Sequence, residues 1–523
     1  MRDRLLTDRR SILKAFGGLG ALAAAGPAFG QAAFFDDPFS MGVASGEPTP
    51  DGFVIWTRLA PRPLEIGGGM PSQTLPVSWE VASDERFRTI VAQGEEAARP
   101  ELGHSIHVEV SGLQPARPYW YRFRVGGERS RPGRAKTLPA VGATVDKVRF
   151  VSGGCQDWES GYYTAWADAA RQDDLDFVFH YGDYFYESRG EDTYRTRDGR
   201  IGPNVRRYEG QETYSLDDYR RRYAQTNTDL DIQAARAAAP WFTTWDDHEV
   251  DNNWVSDRDQ DGTPPEVFLL RRAAAFQAWW ENAPVRRSML PRGGVIRMYR
   301  RARWGGLLDA HFLDTRQYRS DQVCGDGFGV SCPERSAADA QVLGAEAERW
   351  LFSGLSDRRG PRWNLLAQQV MVADLDRRRQ DNPEETAPIY NLDSWAGYEA
   401  PRRRLLEQCA RAGNAVILTG DEHQNHANEC RLGERIAATE FVATSISSGG
   451  NGSDQRRGSA EFLARNPQCK FVNDQRGYVL CEVTPDQWRT DFRVTESVSR
   501  RGADVTTRRS FAVAPNRPGL QAA

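Results

Sequence analysis

Four apolar segments, each ending in a cluster of polar side chains, constrain the fold of this chain more than any other feature. The segments KVRFVSGGC and DFVFHYGDYFYE carry Cys155, Asp183 and Tyr186 at or just beyond a strand-like run. Asp247 and Asp421 likewise lie just beyond strand-like runs, in the segments PWFTTWDDHEVDNNW and NAVILTGDEHQNH. Helix-like stretches such as GYYTAWADAARQ alternate with the strands, which predicts an α/β domain. Because ligands gather where the carboxyl ends of such strands meet loops, we expect these side chains to share one site.

The third and fourth clusters are rich in acids, bases and metal ligands. A single Asp after a glycine is usually a turn residue, but carboxylate, imidazole, thiol and phenol groups at four strand ends together favour a chemical site. His180 lies inside its strand, so we expect it to be a core residue or a neighbour of the site. The third cluster contains Asp246, Asp247, His248, Glu249, Asp251, Asn252 and Asn253, and the fourth contains Asp421, His423 and His426.

Residues 1–30 are typical of an export signal. A basic head with Arg9 and Arg10 precedes an apolar run that is too short to span a bilayer, and a small-x-small cleavage site ends at Gly30. The paired arginines resemble a twin-arginine signal. The sequence therefore predicts a periplasmic or secreted protein that uses the twin-arginine export machinery and has no transmembrane segment in its mature chain.

The chain has seven cysteines, and an oxidising compartment would favour disulfides among them. Cys324 and Cys332 flank a glycine-rich loop and could pair locally. Four others could form two further bridges, with connectivity that the sequence leaves open: Cys409, Cys430, Cys469 and Cys481. Cys155 would then be left over, either as a free thiol or as a ligand.

Composition limits the remaining function classes. The chain has 523 residues, 39% of them hydrophobic, which is enough for two or more domains. Its formal net charge is −4 at pH 7, and no basic block interleaved with aromatics indicates a nucleic-acid-binding module. Residues 37–139 are instead rich in short β-type runs separated by turn residues. We expect an all-β domain there, with His104 and His107 at its solvated surface.

Long, ordered motifs along nearly the whole mature chain resemble one family. The motifs are FSMGVASGEPTPDGFVIWTRLAP, GDYFYE, WDDHEVDNNW, LDTRQYR, NLLAQQVM and LTGDEHQNH. They resemble the alkaline phosphatase D (PhoD) family of calcineurin-like metallophosphoesterases. The resemblance implies a layered α/β metallophosphoesterase sandwich, residues 146–510, preceded by an all-β fibronectin/Ig-like domain, residues 37–139. It also implies an exported hydrolase of small phosphate esters that acts through a metal-activated water.

The same resemblance implies the roles of individual residues. It makes Cys155 an iron-bound thiolate, Asp183 a metal bridge and Tyr186 an iron-bound phenolate. The implied metals are Fe³⁺ with two Ca²⁺ ions, rather than zinc or manganese, and hard oxygen ligands suit both ions. The implied metal ligands are Cys155, Asp183, Tyr186, Asp247, Asn252, Asp421 and His423, and the implied catalytic residues are His248, Asp247 and Arg316.

Three alternatives remain open at this stage. Phosphodiesters, in a phospholipase D-like reaction, would use the same metals as phosphomonoesters. A cysteine hydrolase would pair Cys155 with His248 or His423. A calcium-stabilised binding protein would not catalyse any reaction. The segment SISSGGNGSD is expected to be a flexible loop near the site, and residues 188–223 could form a lid.

Overall fold

The structure is a computed structural model that describes residues 34–195, 201–357, 360–379, 382 and 384–523. The predicted export signal, residues 1–30, lies outside the described residues, as does part of the possible lid. Among the described residues, no helix has the length and apolar character needed to cross a membrane.

Most of the regular structure is β-strand. The strands are β1 (Val43–Thr49), β2 (Gly52–Arg58), β3 (Leu75–Ala82), β4 (Ile90–Ala98), β5 (Ser105–Val110), β6 (Pro118–Val125), β7 (Glu128–Arg129), β8 (Gly133–Lys136), β9 (Val148–Gly153), β10 (Phe177–His180), β11 (Thr193–Arg195), β12 (Ile201–Pro203), β13 (Pro240–Thr243), β14 (Arg300–Trp304), β15 (Leu308–Phe312), β16 (Phe328–Val330), β17 (Trp363–Ala367), β18 (Ile389–Asn391), β19 (Ala415–Thr419), β20 (Asn425–Leu432), β21 (Arg435–Val442), β22 (Cys469–Asn473), β23 (Gly477–Val483), β24 (Trp488–Thr495), β25 (Val505–Ala514) and β26 (Arg517–Ala522).

The helices lie between the strands and cover the sheets. They are α1 (Thr164–Ala169), α2 (Leu216–Asn227), α3 (Leu230–Ala238), α4 (Pro265–Asn282), α5 (Ala345–Leu355), α6 (Glu399–Ala412) and α7 (Ser459–Arg465). Local sequence explains where the two best-defined helices begin. Ser215 and Asp218 form a capping box at the start of α2, and Pro265 occupies the first turn of α4, where a missing N–H costs nothing.

Two large mixed sheets form the main body. The first runs in the order β26-β25-β24-β23-β9-β10-β13-β1-β2-β5, with β9, β10 and β13 parallel at its centre. The second runs in the order β14-β15-β17-β19-β21-β20-β22, with β15, β17, β19 and β21 parallel. Aromatic residues of the first sheet, such as Phe177 and Phe242, pack against Phe312 of the second in one buried core. This is a layered sandwich with helices outside it, as the sequence predicts.

The N-terminal strands divide between two sheets. The strands β4-β3-β6-β7, with β8 beside β6, form a separate five-stranded sheet. In contrast, β1, β2 and β5 extend the main sheet, because β1 pairs in parallel with β13 through Ser45 opposite Pro240 and Gly46 opposite Trp241. The N-terminal region is therefore all-β, but its strands are continuous with the sheet that carries the predicted site.

The expectation that His104 and His107 are solvated is wrong. Both side chains are buried, at 2% and 3% relative exposure. His107 stacks on Trp280 with ring centroids 3.9 Å apart, and its Nδ1 lies 2.9 Å from the carbonyl oxygen of Val285. Since Trp280 belongs to α4, these contacts tie the β region to the main body, which alternation along a single strand could not reveal.

The cysteines only partly follow the expectation. Cys324 and Cys332 form a disulfide, as predicted, with Cα atoms 5.7 Å apart. The prediction of two further bridges is wrong: Cys409, Cys430, Cys469 and Cys481 are free and buried in the core. Cys155 is also a free thiol, and it is buried.

Candidate metal centre

The four predicted strand ends converge in the structure. Cys155, Asp183 and Asp247 follow the adjacent parallel strands β9, β10 and β13, and Asp421 follows β19 of the opposite sheet. The ring of Tyr181 lies between the ends of β9 and β19. A Cβ atom on Gly154 or Gly420 would overlap that ring, so both glycines allow the two sheets to approach at this point.

The site residues occupy an unusual backbone conformation. Cys155, Asp183, Asp421 and His423 all have positive φ angles, of 50°, 53°, 66° and 52°. A non-glycine residue in this left-handed region costs on the order of 1 kcal/mol or more, and such residues cluster at functional sites. Each of these turns directs its side chain out of a strand end.

Three overlapping groups of side chains could each hold a metal ion. In each group the candidate ligand atoms lie within 4.8 Å of one another. Asp183 belongs to the first and second groups, and Asp247 belongs to the second and third. The groups are Cys155, Asp183 and His423; Asp183, Asp247 and His248; and Asp246, Asp247 and Asp421.

Several carboxylate oxygens of this centre accept no hydrogen bond within the part of the chain that the structure describes, which favours the binding of cations. Asp183 Oδ1, Asp246 Oδ2 and Asp247 Oδ1 are buried and accept no hydrogen bond from the described residues. A buried anionic oxygen without a partner is costly, and binding a cation is one of the few arrangements that removes the cost. The donor set therefore fits metal ions.

The pKa values of the site are set by burial and by the charges of neighbouring groups. Burial, and then Asp183 and Asp421, raise the pKa of the Cys155 thiol well above its usual value. Burial also raises the pKa of Asp246 to about 7, although Arg316 opposes this. Burial and Arg476 lower the pKa of His423 to about 3, so its ring is neutral, which is the form that binds metals.

Tyr186 extends the first group of ligands. Its Oη lies 3.1 Å from Asp183 Oδ2 and 3.0 Å from His423 Nε2. The same oxygen lies 2.6 Å from Ser448 Oγ. Thus a phenol, a thiol, a carboxylate and an imidazole meet around one point.

His248 belongs to the second group, and its ring is held by a carboxylate that the sequence motifs did not single out. Its Nδ1 lies 2.6 Å from Glu187 Oε2, and Glu187 Oε1 accepts the backbone N–H of Asn252 at 2.9 Å. Burial alone would lower the pKa of His248, but Glu187, Asp247 and Asp183 raise it well above its usual value. Glu187 is the last residue of the motif GDYFYE, so its position in that motif was an available signal.

Glu249 joins two strand ends through the backbone. Its carboxylate accepts the N–H groups of Asp183 at 3.0 Å, Tyr184 at 2.7 Å and Asp246 at 2.8 Å. Although it belongs to the dense acidic cluster of the sequence, its oxygens are occupied in fixing the turns after β10 and β13.

Two predicted site residues direct the hydrogen bonds of their side chains to other protein groups. Arg316 is fully buried, and its guanidinium bonds to Asp246 at 2.6 Å and to Asp393 at 2.8 Å. Asn252 donates from its side-chain amide to Gln260 Oε1 at 2.8 Å. The other predicted ligands and His248 come together at the strand ends.

A polar cavity adjoins this cluster. It has a volume of about 230 Å³ and is lined by polar residues that include Asn253, Arg258 and Gln322. The backbone N–H of Asn253 donates to Asp247 Oδ2 at 2.9 Å, so one residue belongs to both the cavity wall and the cluster.

The expected loop SISSGGNGSD lies at the site but is not a solvated loop at its start. Ser445, Ser447 and Ser448 are buried at 0–2% relative exposure. Ser447 Oγ donates to the Asp157 carbonyl at 2.7 Å, and Ser445 Oγ donates to the Ser448 carbonyl at 2.7 Å. The expectation of flexibility is wrong for this part, which is packed against the turn after β9.

A layered α/β sandwich with clustered metal-ligand groups at its strand ends defines a hydrolase of the metallophosphoesterase class. The sequence model of the PhoD-like phosphatase family matches residues 150–492, and the model of that family's N-terminal domain matches residues 22–139. The chain therefore belongs to the PhoD-like phosphatase family, and it is an enzyme that hydrolyses phosphate esters.

Individual relatives agree with this assignment. The chain is 46% identical over 495 residues to alkaline phosphatase D of Bacillus subtilis (strain 168). This alignment covers 93% of the chain and 83% of that protein. A solved structure of PhoD superposes with a TM-score of 0.89 at 45% identity, covering 94% of this chain and 93% of that one. The predicted fold, a layered α/β sandwich preceded by an all-β domain, is confirmed.

Proposed function

We propose that this protein is an exported alkaline phosphatase that cleaves phosphomonoesters, and also accepts phosphodiesters, by attack of a metal-activated water. The observation that carries the proposal is the set of three overlapping ligand groups, joined by Asp183 and Asp247, in which one carboxylate oxygen each of Asp183, Asp246 and Asp247 accepts no hydrogen bond from any described residue. Shared carboxylates are the usual means of holding two cations close enough to act on one phosphate.

The chemistry of the ligands supports a division between iron and calcium. Cys155, Asp183 and His423, together with Tyr186, offer thiolate, carboxylate, imidazole and phenolate donors, which suit Fe³⁺. The group around Asp421 offers carboxylate oxygens alone, which suit Ca²⁺. Because Asn252 uses its amide nitrogen for Gln260, its Oδ1 remains available as a further oxygen ligand, and the proposal retains it in that role.

His248 has the surroundings of a general acid. When bound, the metal ions supply Lewis acidity that lowers the pKa of water and offsets charge on the phosphate oxygens. Glu187 occupies Nδ1 of His248, so Nε2 is the ring atom that can give a proton to the departing alkoxide. The nearby carboxylates favour the protonated ring, as this role requires.

Arg316 is better suited to balancing charge than to touching substrate. Its side chain has no exposed surface, and it pairs with Asp246 and Asp393. We propose that Arg316 positions Asp246 and Asp247 and limits the repulsion between their carboxylates. This role is proposed instead of a direct contact with the phosphate of the substrate.

Export and domain organisation are part of the proposal. Residues 1–30 would be the twin-arginine signal, which directs the protein to the periplasm or the medium. Residues 37–139 would form the N-terminal β domain and residues 146–510 the catalytic domain. The absence of ligand-type clusters from the first of these supports the division.

A phospholipase D-like phosphodiesterase is the second candidate, and the polar cavity that Asn253 links to the centre favours it. That cavity, of about 230 Å³, offers room for a second ester group. A cysteine hydrolase is disfavoured, because Cys155 is fully buried and its thiol pKa is raised, so little thiolate would form without a cation. A non-catalytic binding protein does not fit the phosphatase family.

The test compares a chromogenic phosphomonoester with the corresponding bis-ester, before and after removal of calcium by a chelator. We expect hydrolysis of the monoester to stop on chelation and to return with added Ca²⁺, while iron remains bound. Oxygen-ligated Ca²⁺ exchanges readily, whereas the mixed ligand set should hold Fe³⁺ for longer. Turnover that continues unchanged in excess chelator would contradict the calcium assignment.

A further inference from the structure

Ser448 contacts the candidate centre without belonging to any of the ligand groups. Its Oγ lies 2.6 Å from Tyr186 Oη and 2.8 Å from the carbonyl oxygen of Cys155. The same hydroxyl accepts the backbone N–H of Asp157 at 3.2 Å. The side chain is 2% exposed, so water does not compete for these contacts.

The hydrogen bonds of this hydroxyl restrict what it can do. A serine hydroxyl has one proton to donate and can accept in two directions. The Asp157 N–H uses one acceptor direction, so the single proton must go either to the Cys155 carbonyl or to the Tyr186 oxygen. When Tyr186 is a phenol, its own proton can go to Asp183 Oδ2, and Ser448 can donate to the Cys155 carbonyl or to the Tyr186 oxygen. When Tyr186 is a phenolate, Ser448 is free to turn its proton to the phenolate oxygen.

Cys155 is held in both arrangements. The backbone N–H of Ser448 also donates to the Cys155 carbonyl, at 3.3 Å, so that carbonyl keeps a partner when the hydroxyl turns away. Ser448 thus connects the main chain of one candidate ligand with the side-chain oxygen of another.

The surrounding segment fixes Ser448 in place. Its carbonyl accepts the Ser445 hydroxyl, and Ile446 N–H donates to the Gly154 carbonyl at 2.9 Å. Further along, a Cβ atom on Gly452, which has a φ of 69°, would overlap the Asp474 carbonyl. The segment is therefore fixed on one side by the turn that carries Cys155 and on the other by the Asp474 backbone.

We propose that Ser448 is a positioning residue that fixes the Tyr186 oxygen relative to the Cys155 backbone, so that both ligands are placed for metal binding. Its buried hydroxyl supplies a hydrogen bond to the Tyr186 oxygen. This inference rests on the proposed role of Tyr186 and Cys155 as metal ligands. Groups that orient metal ligands typically change metal affinity or activity by about 10- to 100-fold when they are removed.

The experiment compares Ser448→Ala with Ser447→Ala in the full-length protein. Ser447 is a matched control, because it is equally buried in the same segment but bonds to the Asp157 carbonyl and not to Tyr186. The measurements are total metal retained per chain after a fixed exposure to chelator, the visible spectrum, and kcat. Phenolate and thiolate ligands donate charge to Fe³⁺ in the visible range, so the wild-type protein should be coloured. We expect Ser448→Ala to lose metal at least about 10-fold faster than wild type and to shift this visible absorption band, while Ser447→Ala matches wild type.

A second pair of variants removes the ambiguity of misfolding. Ser448→Thr and Ser448→Val have the same shape and differ in the hydroxyl, so we expect the threonine variant to retain metal better than the valine variant. Equal metal retention and equal spectra in Ser448→Ala and Ser447→Ala, or in the threonine and valine variants, would overturn the inference. A colourless wild-type protein that still binds metal would overturn only the ferric assignment, because the retention comparison would still apply. A wild-type protein that retains no metal would overturn both.

Discussion

At the scale of single residues, the site contains ligand groups whose charged forms are unfavourable in a buried position without a cation. Cys155 is a fully buried thiol whose pKa is raised by burial and by neighbouring carboxylates. The backbone at Cys155 and Asp183 is in the left-handed region, a conformation that costs free energy at a non-glycine residue. A bound cation would offset both the charge and the backbone cost, which explains why these residues occur together.

The role of Cys155 can be tested by counting thiols and metal together. Because five cysteines are free, titration of the denatured, unreduced wild-type protein should find five thiols, and Cys155→Ser should have four. The variant should also retain less iron, since it loses a thiolate ligand. Cys481→Ser is the matched control, because it also removes one buried thiol but lies away from the ligand groups. If both variants retained iron equally, Cys155 would not be a ligand.

The pairing of Glu187 with His248 predicts a change in pH dependence. Glu187 raises the pKa of His248, so Glu187→Gln should lower that pKa and deprotonate the ring at a lower pH. Since the proposed acid is the protonated form, the alkaline limb of the kcat profile should move toward lower pH. His248→Gln should lower kcat by about 100-fold or more, because general acids typically contribute that much. An unchanged alkaline limb in Glu187→Gln would contradict the assignment.

At the scale of elements, the strand ends explain how much the sequence could predict. β9, β10, β13 and β19 each combine a buried apolar run with a following polar cluster, so their positions and their convergence were predictable from local pattern. The pairing of β1 with β13 was not, because it joins residues about two hundred positions apart. The role of Ser448 was missed for a related reason, because it depends on contacts that only the tertiary structure brings about, whereas Glu187 could have been suspected from its place in the motif GDYFYE.

The junction of β1 with β13 gives a prediction about stability. A Cβ atom on Gly46 would overlap the carbonyl oxygens of Pro284 and Trp241, so Gly46→Ala should destabilise the protein by about 1–3 kcal/mol or more. Gly127→Ala, in the same N-terminal region, meets no atom within 4 Å and should change stability little. Urea unfolding of both variants measures the difference. Equal unfolding midpoints would mean that the N-terminal strands are not structurally coupled to the main sheet.

At the scale of the whole molecule, metal binding and protonation should compete. Burial raises the pKa of Asp246 from 3.8 to about 7 in the metal-free fold. The stability that the protonated group contributes is therefore fully present below about pH 3.8 and is lost as pH rises through about 7. Metal binding requires the carboxylate, so metal affinity should rise as pH increases toward 7.

The pH dependence of metal affinity can be measured by thermal unfolding with and without metal. The increase in Tm on adding Ca²⁺ should be small near pH 5 and larger near pH 7.5, because affinity for the folded state sets the size of the shift. A shift that stays constant across this range would mean that no buried carboxylate of the centre takes up a proton.

The most direct test of the account combines metal analysis with turnover in one variant. Asp183 belongs to two of the three ligand groups, so it is the residue on which most of the centre depends. Wild-type protein purified without chelator or added metal should contain iron and calcium and hydrolyse a phosphomonoester. Asp183→Asn should lose iron and lower kcat by at least about 100-fold, while unfolding as one cooperative transition. An Asp183→Asn protein that kept its full metal content and turnover would contradict the proposal that these strand ends form the catalytic metal centre.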